Sequence, residues 1–402
     1  MSQTMPPPVF DPFAPGFTDD PYPQYAALRS GAPAGRHPLG FFLLTRYDDV
    51  SGLLRAAMSV EDGNITDRQL IELREQMYGE EAYRPRGISM LDRDPPDHTR
   101  LRRLVSKAFT PRAVEALRPR ITGLVDEMLD AAERQGRVDL VDALAFPLPF
   151  AVIAEMLGTP PADHERIRQL SGTVVRSLEP VNDPDTAAAI AAADAELTQI
   201  AAEMIAWKRA NPAGDLLTAL INAEDDGDVL DDDELIAQTL LLYIAGHETT
   251  VNLIAGGTLA LLRHPDQLAR LRAEPALVGN AVEEMLRYDS PVQATRRITL
   301  EPASFTGVTI PPGSFVLALL GSANRDESYW GPDAAELRLD RENARQHVSF
   351  GAGPHHCLGA SLARMEAAIA VGQLISRFPG LALDGEPTWN GRINLRGPAR
   401  AG

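Results

Sequence analysis

Phe350-Gly351-Ala352-Gly353-Pro354-His355-His356-Cys357-Leu358-Gly359 is the stretch of this 402-residue chain that decides its fold. It contains the only cysteine, so Cys357 can form neither an internal disulfide nor a zinc site of paired cysteines. Most such cysteines are small buried hydrophobes with inert thiols. Here the neighbouring glycines, which lack a Cβ atom, let the backbone approach a flat and bulky group. His355 stands two residues before the sulfur and can donate a hydrogen bond to an anion.

A thiolate held in such a loop is a good axial ligand for heme iron, because it pushes electron density onto the metal and favours O–O cleavage. The pattern Phe-x-x-Gly-x-His-x-Cys-x-Gly resembles the heme-binding signature of the cytochrome P450 family. The resemblance covers about residues 10–400. It implies heme b (iron protoporphyrin IX) with Cys357 as the iron ligand, bound at a loop of residues 350–359. It also implies that Phe350, Gly351 and Gly359 lie beside the cofactor.

The length of the chain would by itself suggest two or three domains. However, no Gly/Ser-rich linker or low-complexity segment divides it, so we predict one domain over residues 1–402. Contents of 44% hydrophobic and 23% charged residues are typical of a globular protein. The helical pattern recurs over most of the length and predicts a mostly α, α-rich α+β fold. The resemblance implies the P450 fold, with a long central helix and small β-sheets.

Periodicity and the positions of Pro and Gly predict the elements. A helix begins after residues 94–96, with Asp97 or Thr99 as its N-cap. The long central helix spans about residues 232–263, and Asp231, Asp232 and Asp233 place acid at its positive end. Further helices are predicted at 22–29, 112–135, 147–157, 162–177, 186–209, 215–223, 276–287 and after 359, and short strands at 41–45, 303–311 and 314–320.

The net charge of −18 argues against nucleic-acid binding, which requires a basic surface. No run approaches the ~20 apolar residues of a membrane span. Residues 1–10 lack the basic and apolar regions of a signal peptide, and a single cysteine fits a reducing compartment. We therefore expect a cytoplasmic protein that contacts no membrane.

One short stretch is basic, with only Glu115 against it: Arg100, Arg102, Arg103, Lys107, Arg112, Arg118 and Arg120. It is either a solvated helix face or a docking patch for an acidic electron-transfer protein that is steered by long-range charge. The resemblance implies ferredoxin and ferredoxin reductase as the electron supply.

The central helix contains Ala245-Gly246-His247-Glu248-Thr249-Thr250 within an apolar surrounding. A mid-helix glycine costs about 1 kcal/mol relative to alanine, so it requires a reason, such as close packing or room for a small ligand. A buried glutamate is costly without partners or a chemical task. The motif resembles the oxygen-activation motif of the family. Thr249 then matches the threonine that hydrogen-bonds dioxygen, Glu248 the acid of the proton relay, and Ala245 and Gly246 the small residues of the oxygen pocket. His247 matches a variable position, structural or substrate-facing.

Glu284 and Arg287 are three residues apart on one predicted helix, so their side chains can meet. Their place between the two motifs resembles the Glu-x-x-Arg pair of the family, which is joined by an arginine that Arg341 matches. The implied role of this network is structural.

The two heme propionates require cationic or N–H partners, and the resemblance assigns four. His98 and Arg102 share a helix face through their four-residue spacing. Arg297 and His355 are the others; Arg296 is the alternative to Arg297, which the spacing from Gln293 favours. The planar guanidinium suits carboxylates better than an ammonium does.

The substrate pocket is assigned by resemblance and is mainly apolar, as ligand cavities are. It comprises Ile88, Met90, Leu241, Leu242, Val292, Thr295 and Ile393, each of which is as readily explained by core packing. The region 170–190 contains Gly172 and Pro180-Val181-Asn182-Asp183-Pro184, which suits a mobile lid.

These features together predict a monooxygenase that inserts one atom of O2 into an apolar small molecule by hydroxylation or epoxidation. Secondary-metabolite-like scaffolds are the expectation from the family. Three alternatives remain: peroxide-driven oxidation, oxidative coupling or rearrangement, and a non-catalytic heme-thiolate binding protein. The acid–alcohol pair Glu248–Thr249 counts against the first and the third.

Overall fold

Helices dominate the computed structural model, which describes residues 7–72, 88–159, 164–180 and 183–401. The chain divides into two compact units. Unit 1 comprises Met1–Leu73, Ala255–Cys357 and Phe378–Ala401, and unit 2 comprises Arg74–Ile254, Leu358–Arg377 and Gly402. Residues 73–87, which precede the pocket candidates Ile88 and Met90, lie outside the described residues. So do the first two residues of the predicted helix 162–177 and residues 181–182 of the predicted lid 170–190.

The predicted helices are present in order, except that the helix predicted at 112–135 is divided into two at Leu117. They are α1 (Tyr22–Gly31), α2 (Tyr47–Arg55), α3 (Asp97–Ala108), α4 (Pro111–Ala116), α5 (Arg118–Gln135), α6 (Pro147–Leu157), α7 (His164–Val175), α8 (Pro184–Ala210), α9 (Leu216–Ile221), α10 (Asp232–Arg263), α11 (Pro265–Ala273), α12 (Val278–Tyr288), α13 (Leu320–Ala323), α14 (Glu327–Trp330) and α15 (Ala360–Arg377). A π-helical turn covers Val141–Ala145. Short 3-10 turns cover Asp62–Asn64, Arg176–Leu178, Pro275–Leu277, Ala344–Gln346 and Gly353–His355.

The strands are short, as the sequence predicts. They are β1 (Ala34–Arg36), β2 (Phe42–Leu44), β3 (Glu224–Asp225), β4 (Asp228–Val229), β5 (Ala294–Ile298), β6 (Ala303–Phe305), β7 (Val308–Ile310), β8 (Phe315–Leu319), β9 (Thr388–Trp389) and β10 (Pro398–Arg400). In unit 1 they form a four-stranded sheet of order β1-β2-β8-β5, in which β2 and β8 run parallel and β5 runs antiparallel to β8. The remaining pairs are two-stranded ribbons.

The core of unit 1 lies between this sheet and α2. Phe42, Leu44 and Val316 of the sheet pack with Val50 and Leu53 of the helix, all of them buried. Apolar side chains recur on one face of each element, so burying them removes both faces from water at once. The packed sheet supports β5, which pairs with β8, and the same core includes the segment that leads to the cysteine loop.

Side chains cap several helices. At α10, Asp231 Oδ1 accepts from the Glu234 amide at 2.7 Å, and Glu234 Oε2 accepts from the Asp231 amide at 3.1 Å. This reciprocal pair is a capping box, which satisfies two donors that a helix start leaves open. The acidic run 231–234 thus fixes the start of the central helix at the predicted place.

The predicted N-cap of α3 was wrong. Neither Asp97 nor Thr99 caps the helix, because Asp97 is already its first residue. The amides of His98 and Arg100 instead donate to the backbone carbonyls of Asp94 and Pro96, at 2.9 and 3.0 Å. The preceding turn therefore supplies the acceptors that a side chain would otherwise supply.

No helix within the described ranges is both long enough and apolar enough to cross a membrane.

Glu366 of α15 is a buried carboxyl, 1% exposed, whose Oε2 has no hydrogen-bond partner among the described residues. Burial raises its pKa from 4.5 to about 8. The folded protein holds the proton over a range in which the unfolded chain releases it. The contribution of this group to the free energy of unfolding is therefore most favourable below about pH 4.5. It falls as the pH rises towards 8, by roughly 1.4 kcal/mol per pH unit.

We predict that Glu366→Gln, which cannot ionise, flattens the decline of unfolding free energy between pH 6 and about 8. Denaturant unfolding at several pH values measures this. The control is Glu203→Gln, which changes an exposed glutamate of α8 and should leave the pH profile unchanged. An identical slope in the Glu366 variant and the wild type would show that this carboxyl is not responsible.

Candidate active site

Backbone hydrogen bonds hold the cysteine loop of unit 1. The Cys357 amide donates to the Phe350 carbonyl at 2.8 Å, and the Gly351 amide donates to Val348 at 2.8 Å. The Cys357 side chain is exposed. A thiol presented on a loop with a fixed backbone is positioned to act as a ligand rather than as a packing group.

Gly353 is required by the shape of this loop. Its φ of 69° lies in the left-handed region, and an added Cβ would collide with the backbone carbonyl oxygen of Leu54 in α2. Gly351 also has a positive φ, 68°. The glycines noted in the sequence therefore serve the close approach of the loop to its own helix α2 as well as any approach of a ligand.

A buried charge cluster lies behind the loop. The guanidinium of Arg287 donates two hydrogen bonds of 2.7 Å to the Glu284 carboxylate, and neither side chain is exposed. Arg341 Nε donates to Glu284 Oε1 at 3.2 Å. The remaining donors of Arg287 reach the carbonyls of Asn324, Ala334 and Glu336. Every charge in the cluster is therefore opposed by charge or by carbonyl dipoles, as buried ions require.

Two side chains connect this cluster to the loop. Asn324, whose carbonyl accepts from Arg287, also accepts from the Val348 amide at 2.8 Å and donates to Ser349 Oγ at 2.8 Å. The Ser349 hydroxyl donates to the Leu286 carbonyl of α12 at 2.6 Å. The residues just before Phe350 are thus fixed to the helix that carries Glu284 and Arg287.

A second buried acid, Glu283, supports the same segment. The Ser349 amide donates to His347 Nδ1 at 3.2 Å, so Nε2 carries the proton and donates to Glu283 Oε2 at 3.1 Å. These contacts involve four residues that were not predicted from the sequence: Asn324, Ser349, Glu283 and His347. For His347 and Ser349 the available signal was their polar character directly before the motif, which is weak without knowledge of their partners.

The two candidate arginines of β5 differ in their contacts. Arg296 forms an ion pair with Asp62, and burial, followed by the charge of Arg297, lowers its pKa to about 10. Arg297 is buried and donates to its neighbours, the Arg296 carbonyl at 2.6 Å and Thr295 Oγ1 at 3.3 Å. Arg296 thus pairs with an acid of its own unit, and Arg297 is the more deeply buried of the two arginines.

In unit 2, the residues of the central helix α10 change from uniformly buried to partly exposed at Ala245. Leu240 to Ile244 are buried, whereas Ala245 is exposed and Glu248 and Thr249 are partly exposed. Thr249 Oγ1 donates to the Ala245 carbonyl at 3.0 Å. An added Cβ at Gly246 would stand 3.4 Å from Ile153 of α6. Helix packing therefore crowds this glycine only mildly, and an open face of the helix exists at the predicted position.

His247 is buried, 1% exposed, among the rings of Phe146, Phe150 and Tyr243. Its Nδ1 lies 2.9 Å from the Tyr243 carbonyl, so Nδ1 carries a proton. Its Nε2 lies 3.7 Å from Glu248 Oε2. Of the two roles expected from the sequence, this position favours the structural one.

The basic stretch meets acids that are distant in sequence. Arg100 pairs with Glu234, Arg103 with Asp225 and Asp228, and Lys107 with Asp225. Arg120 pairs with Glu155 at 2.6 Å, and Arg118 with Glu115 at 2.5 Å. Arg112 is exposed and forms no ion pair with any described residue. Much of the positive charge that the local sequence suggests is therefore compensated within unit 2.

The other predicted residues fall in ordered positions. His98 is buried and Arg102 partly buried, on one face of α3. Among the pocket candidates, Met90, Leu241 and Leu242 are buried and Ile88, Val292, Thr295 and Ile393 are partly exposed. Gly172 lies inside α7, and Asp183 caps α8 through the amides of Asp185 and Thr186.

The donor groups fit a heme. Unit 1 offers one exposed thiol on a fixed loop, with a buried arginine in β5 and a histidine two residues before the sulfur. Unit 2 offers a helix whose buried apolar run ends at Ala245 and is followed by an acid–alcohol pair. It also offers His98 and Arg102 on α3. A thiolate for iron and cations for carboxylates are the groups such a cofactor requires.

Comparison with known proteins agrees. A sequence profile described as Cytochrome P450 matches residues 185–390. The chain is 43% identical to Cytochrome P450 107B1 of Saccharopolyspora erythraea over 97% of both chains. It is 43% identical to Cytochrome P450 monooxygenase PikC of Streptomyces venezuelae, over 98% of this chain and 94% of that protein. The solved structure of the Bacillus subtilis 168 bacillaene polyketide synthase cytochrome P450 PksS superposes with a TM-score of 0.88 at 34% identity, over 98% of each chain.

We predict that Arg341→Ala lowers the free energy of unfolding by about 3–5 kcal/mol, because it leaves the buried Glu284 carboxylate short of a partner. Denaturant unfolding measures the loss. The control is Arg345→Ala, four residues along the chain: Arg345 also meets a buried glutamate, but its side chain is 78% exposed. That change should cost no more than about 1 kcal/mol. Equal losses in the two variants would mean that burial of the cluster does not set its importance.

Proposed function

Because the chain belongs to the cytochrome P450 family, we propose that it is a monooxygenase inserting one atom of O2 into a C–H or C=C bond of an apolar small molecule. The observation that carries the proposal is Cys357, an exposed thiol on a loop fixed by backbone hydrogen bonds and by the close approach of Gly353 to α2.

Heme iron is the cofactor of the family, and we assign heme b with Cys357 as its protein ligand. Phe350, Gly351, Gly359, Ala245 and Gly246 are its proposed neighbours, and His98, Arg102, Arg297 and His355 the partners of its propionates. When bound, the heme supplies the activation of dioxygen, which side chains cannot provide. The ion pair with Asp62 counts against Arg296, the alternative from the sequence.

Thr249 and Glu248 are the proposed proton relay. Insertion of one oxygen atom converts the other into water, so two protons must arrive in a site that otherwise excludes solvent. The Thr249 hydroxyl donates to the Ala245 carbonyl, and the hydroxyl oxygen can still accept a hydrogen bond from a proton donor. Glu248 is partly exposed, which allows it to exchange protons with water.

Electrons come in our proposal from a ferredoxin and its reductase. The ion pairs of Arg103 and Lys107 with Asp225 argue against a bare positive docking patch at these two residues. Arg112 remains available for an acidic partner. Most cations of this stretch are thus paired with acids, and it does not form a continuous basic surface.

The substrate in our proposal is a secondary-metabolite-like molecule, hydroxylated or epoxidised. The apolar character of Met90, Leu241 and Leu242 supports an apolar ligand, and the similar PksS is named for a polyketide synthase. Oxidative coupling would use the same residues and is the second candidate. One domain over the whole chain and a cytoplasmic location remain proposals.

We predict that Cys357→Ala abolishes the thiolate-specific absorption of the reduced, carbon monoxide-bound protein, since the variant lacks the sulfur ligand. The exposed neighbour provides the control, because His356→Ala leaves the sulfur in place and should preserve that absorption. An unchanged spectrum in the cysteine variant would refute the ligand assignment and the proposed function with it.

Two adjacent threonines test the relay. Thr249→Val removes a partly exposed hydroxyl, whereas Thr250→Val removes a buried one that donates to the Gly246 carbonyl at 3.2 Å. We predict that product formation falls by up to about 100-fold in the first variant while electron consumption continues. The second should stay coupled. The measurement is product formed per electron consumed, with the scaffold from a natural-product panel that gives the largest spectral shift. Equal coupling in both variants would remove Thr249 from the relay.

A further inference from the structure

Gln238 is a completely buried polar side chain in the apolar first half of α10, at 0% exposure. Its neighbours Leu240, Leu241 and Leu242 are buried hydrophobic residues. Burying a primary amide costs free energy unless its oxygen and nitrogen find hydrogen-bond partners. The partners of Gln238 therefore indicate why this position holds an amide rather than another leucine.

Both ends of the amide bind the backbone of one segment. Gln238 Oε1 accepts from the Met90 amide at 3.1 Å, and Nε2 donates to the Ile88 carbonyl at 3.4 Å. A primary amide presents the same donor and acceptor as a peptide group. The side chain thus holds residues 88–90 much as a neighbouring strand would hold them.

Local hydrogen bonds make this segment a small unit of its own. Ser89 is buried; its Oγ donates to Asp92 Oδ2 at 2.9 Å, and its carbonyl accepts from the Asp92 amide at 3.0 Å. The Leu91 amide donates to Ser89 Oγ at 3.3 Å. Gln238 therefore attaches a preformed turn to α10 through two hydrogen bonds to its backbone.

The turn has room to move if this attachment is lost. Ile88 lines a cavity of about 250 Å³ together with Leu101 of α3 and Glu234 of α10. On the side of Ile88 the turn therefore borders open space, whereas Ser89 and Met90 are buried.

Gln238 shares a helix face with the open part of α10. Residues 238, 242, 245 and 249 are separated by four, three and four positions and therefore form one stripe. Along the axis, Gln238 lies ~10 Å from Ala245 and ~17 Å from Thr249. A ligand that lies on the open face at Ala245 and Thr249 and extends along α10 would therefore reach the turn held by Gln238.

We propose that Gln238 is a specificity-determining positioning residue. By holding Ile88–Met90 on the face of α10 that carries Leu242, Ala245 and Thr249, it fixes one wall of the substrate pocket. Ligands large enough to reach this wall depend on Gln238, and small ligands do not. The inference rests on the proposed function, which makes this face of α10 the substrate side.

Hydrogen exchange of the Met90 amide tests the attachment without heme chemistry or substrate. Gln238→Leu keeps the approximate volume and removes both hydrogen bonds, and exchange at Met90 should accelerate about ten-fold or more. Gln238→Glu keeps the acceptor for Met90 but loses the donor to Ile88, so acceleration should be smaller; it also serves if the leucine variant fails to fold. The matched control is Gln373→Leu in α15, another glutamine with a buried side-chain atom, which should leave Met90 unchanged. Unaltered exchange at Met90 in both Gln238 variants would overturn the proposal.

Optical titration with two azoles tests specificity. Imidazole is too small to reach the wall, whereas clotrimazole is bulky. We expect the dissociation constant of clotrimazole to change about ten-fold in Gln238→Leu, and that of imidazole to stay within about two-fold. Faster exchange with unchanged binding of both azoles would show that Gln238 holds the turn without determining specificity, which refutes the proposal and leaves the proposed function intact. If neither azole bound the wild type, the proposed function would fail, and this inference with it.

Discussion

The constraint on which unit 1 depends is the burial of Arg287. Its guanidinium is fully enclosed, so each of its donors must meet charge or a carbonyl oxygen. Glu284 supplies the charge, and the carbonyls come from the segment 324–336. None of these charged groups could be buried at a tolerable cost in free energy without the others. The cluster therefore forces α12 and the irregular chain before the cysteine loop into one arrangement, and Asn324 extends this arrangement to Val348 and Ser349.

The role proposed for Cys357 as an iron ligand depends on this rigidity. A thiolate ligand is useful only if its backbone does not relax when the metal binds, and a fixed loop meets that requirement. The Gly353 approach to α2 and the hydrogen bond from the Cys357 amide to Phe350 hold the loop from two directions. In unit 2, the buried apolar run before Ala245 similarly holds the acid and alcohol of α10 on a rigid helix rather than on a loop.

Charge is distributed differently from what the local sequence suggests. The stretch 100–120 looks strongly basic, yet the hairpin of β3 and β4 brings Asp225 and Asp228 to Arg103 and Lys107. Exposed pairs of this kind add little stability. Their effect is to reduce the long-range electrostatic field that this stretch would otherwise direct at an acidic partner.

The sequence alone determined the family, the helical class, the start and length of α10, and the thiol at 357, because periodicity, capping and a long motif are local properties that survive without coordinates. It also placed Glu284 and Arg287 on one helix face. Only the tertiary structure decided which acids neutralise the basic stretch and that Arg296 pairs with Asp62. It also decided that backbone carbonyls rather than Asp97 or Thr99 serve the start of α3, and that Gln238 holds Ile88–Met90. These contacts join residues far apart in the chain. Their energies depend on burial and on distances that no local pattern encodes.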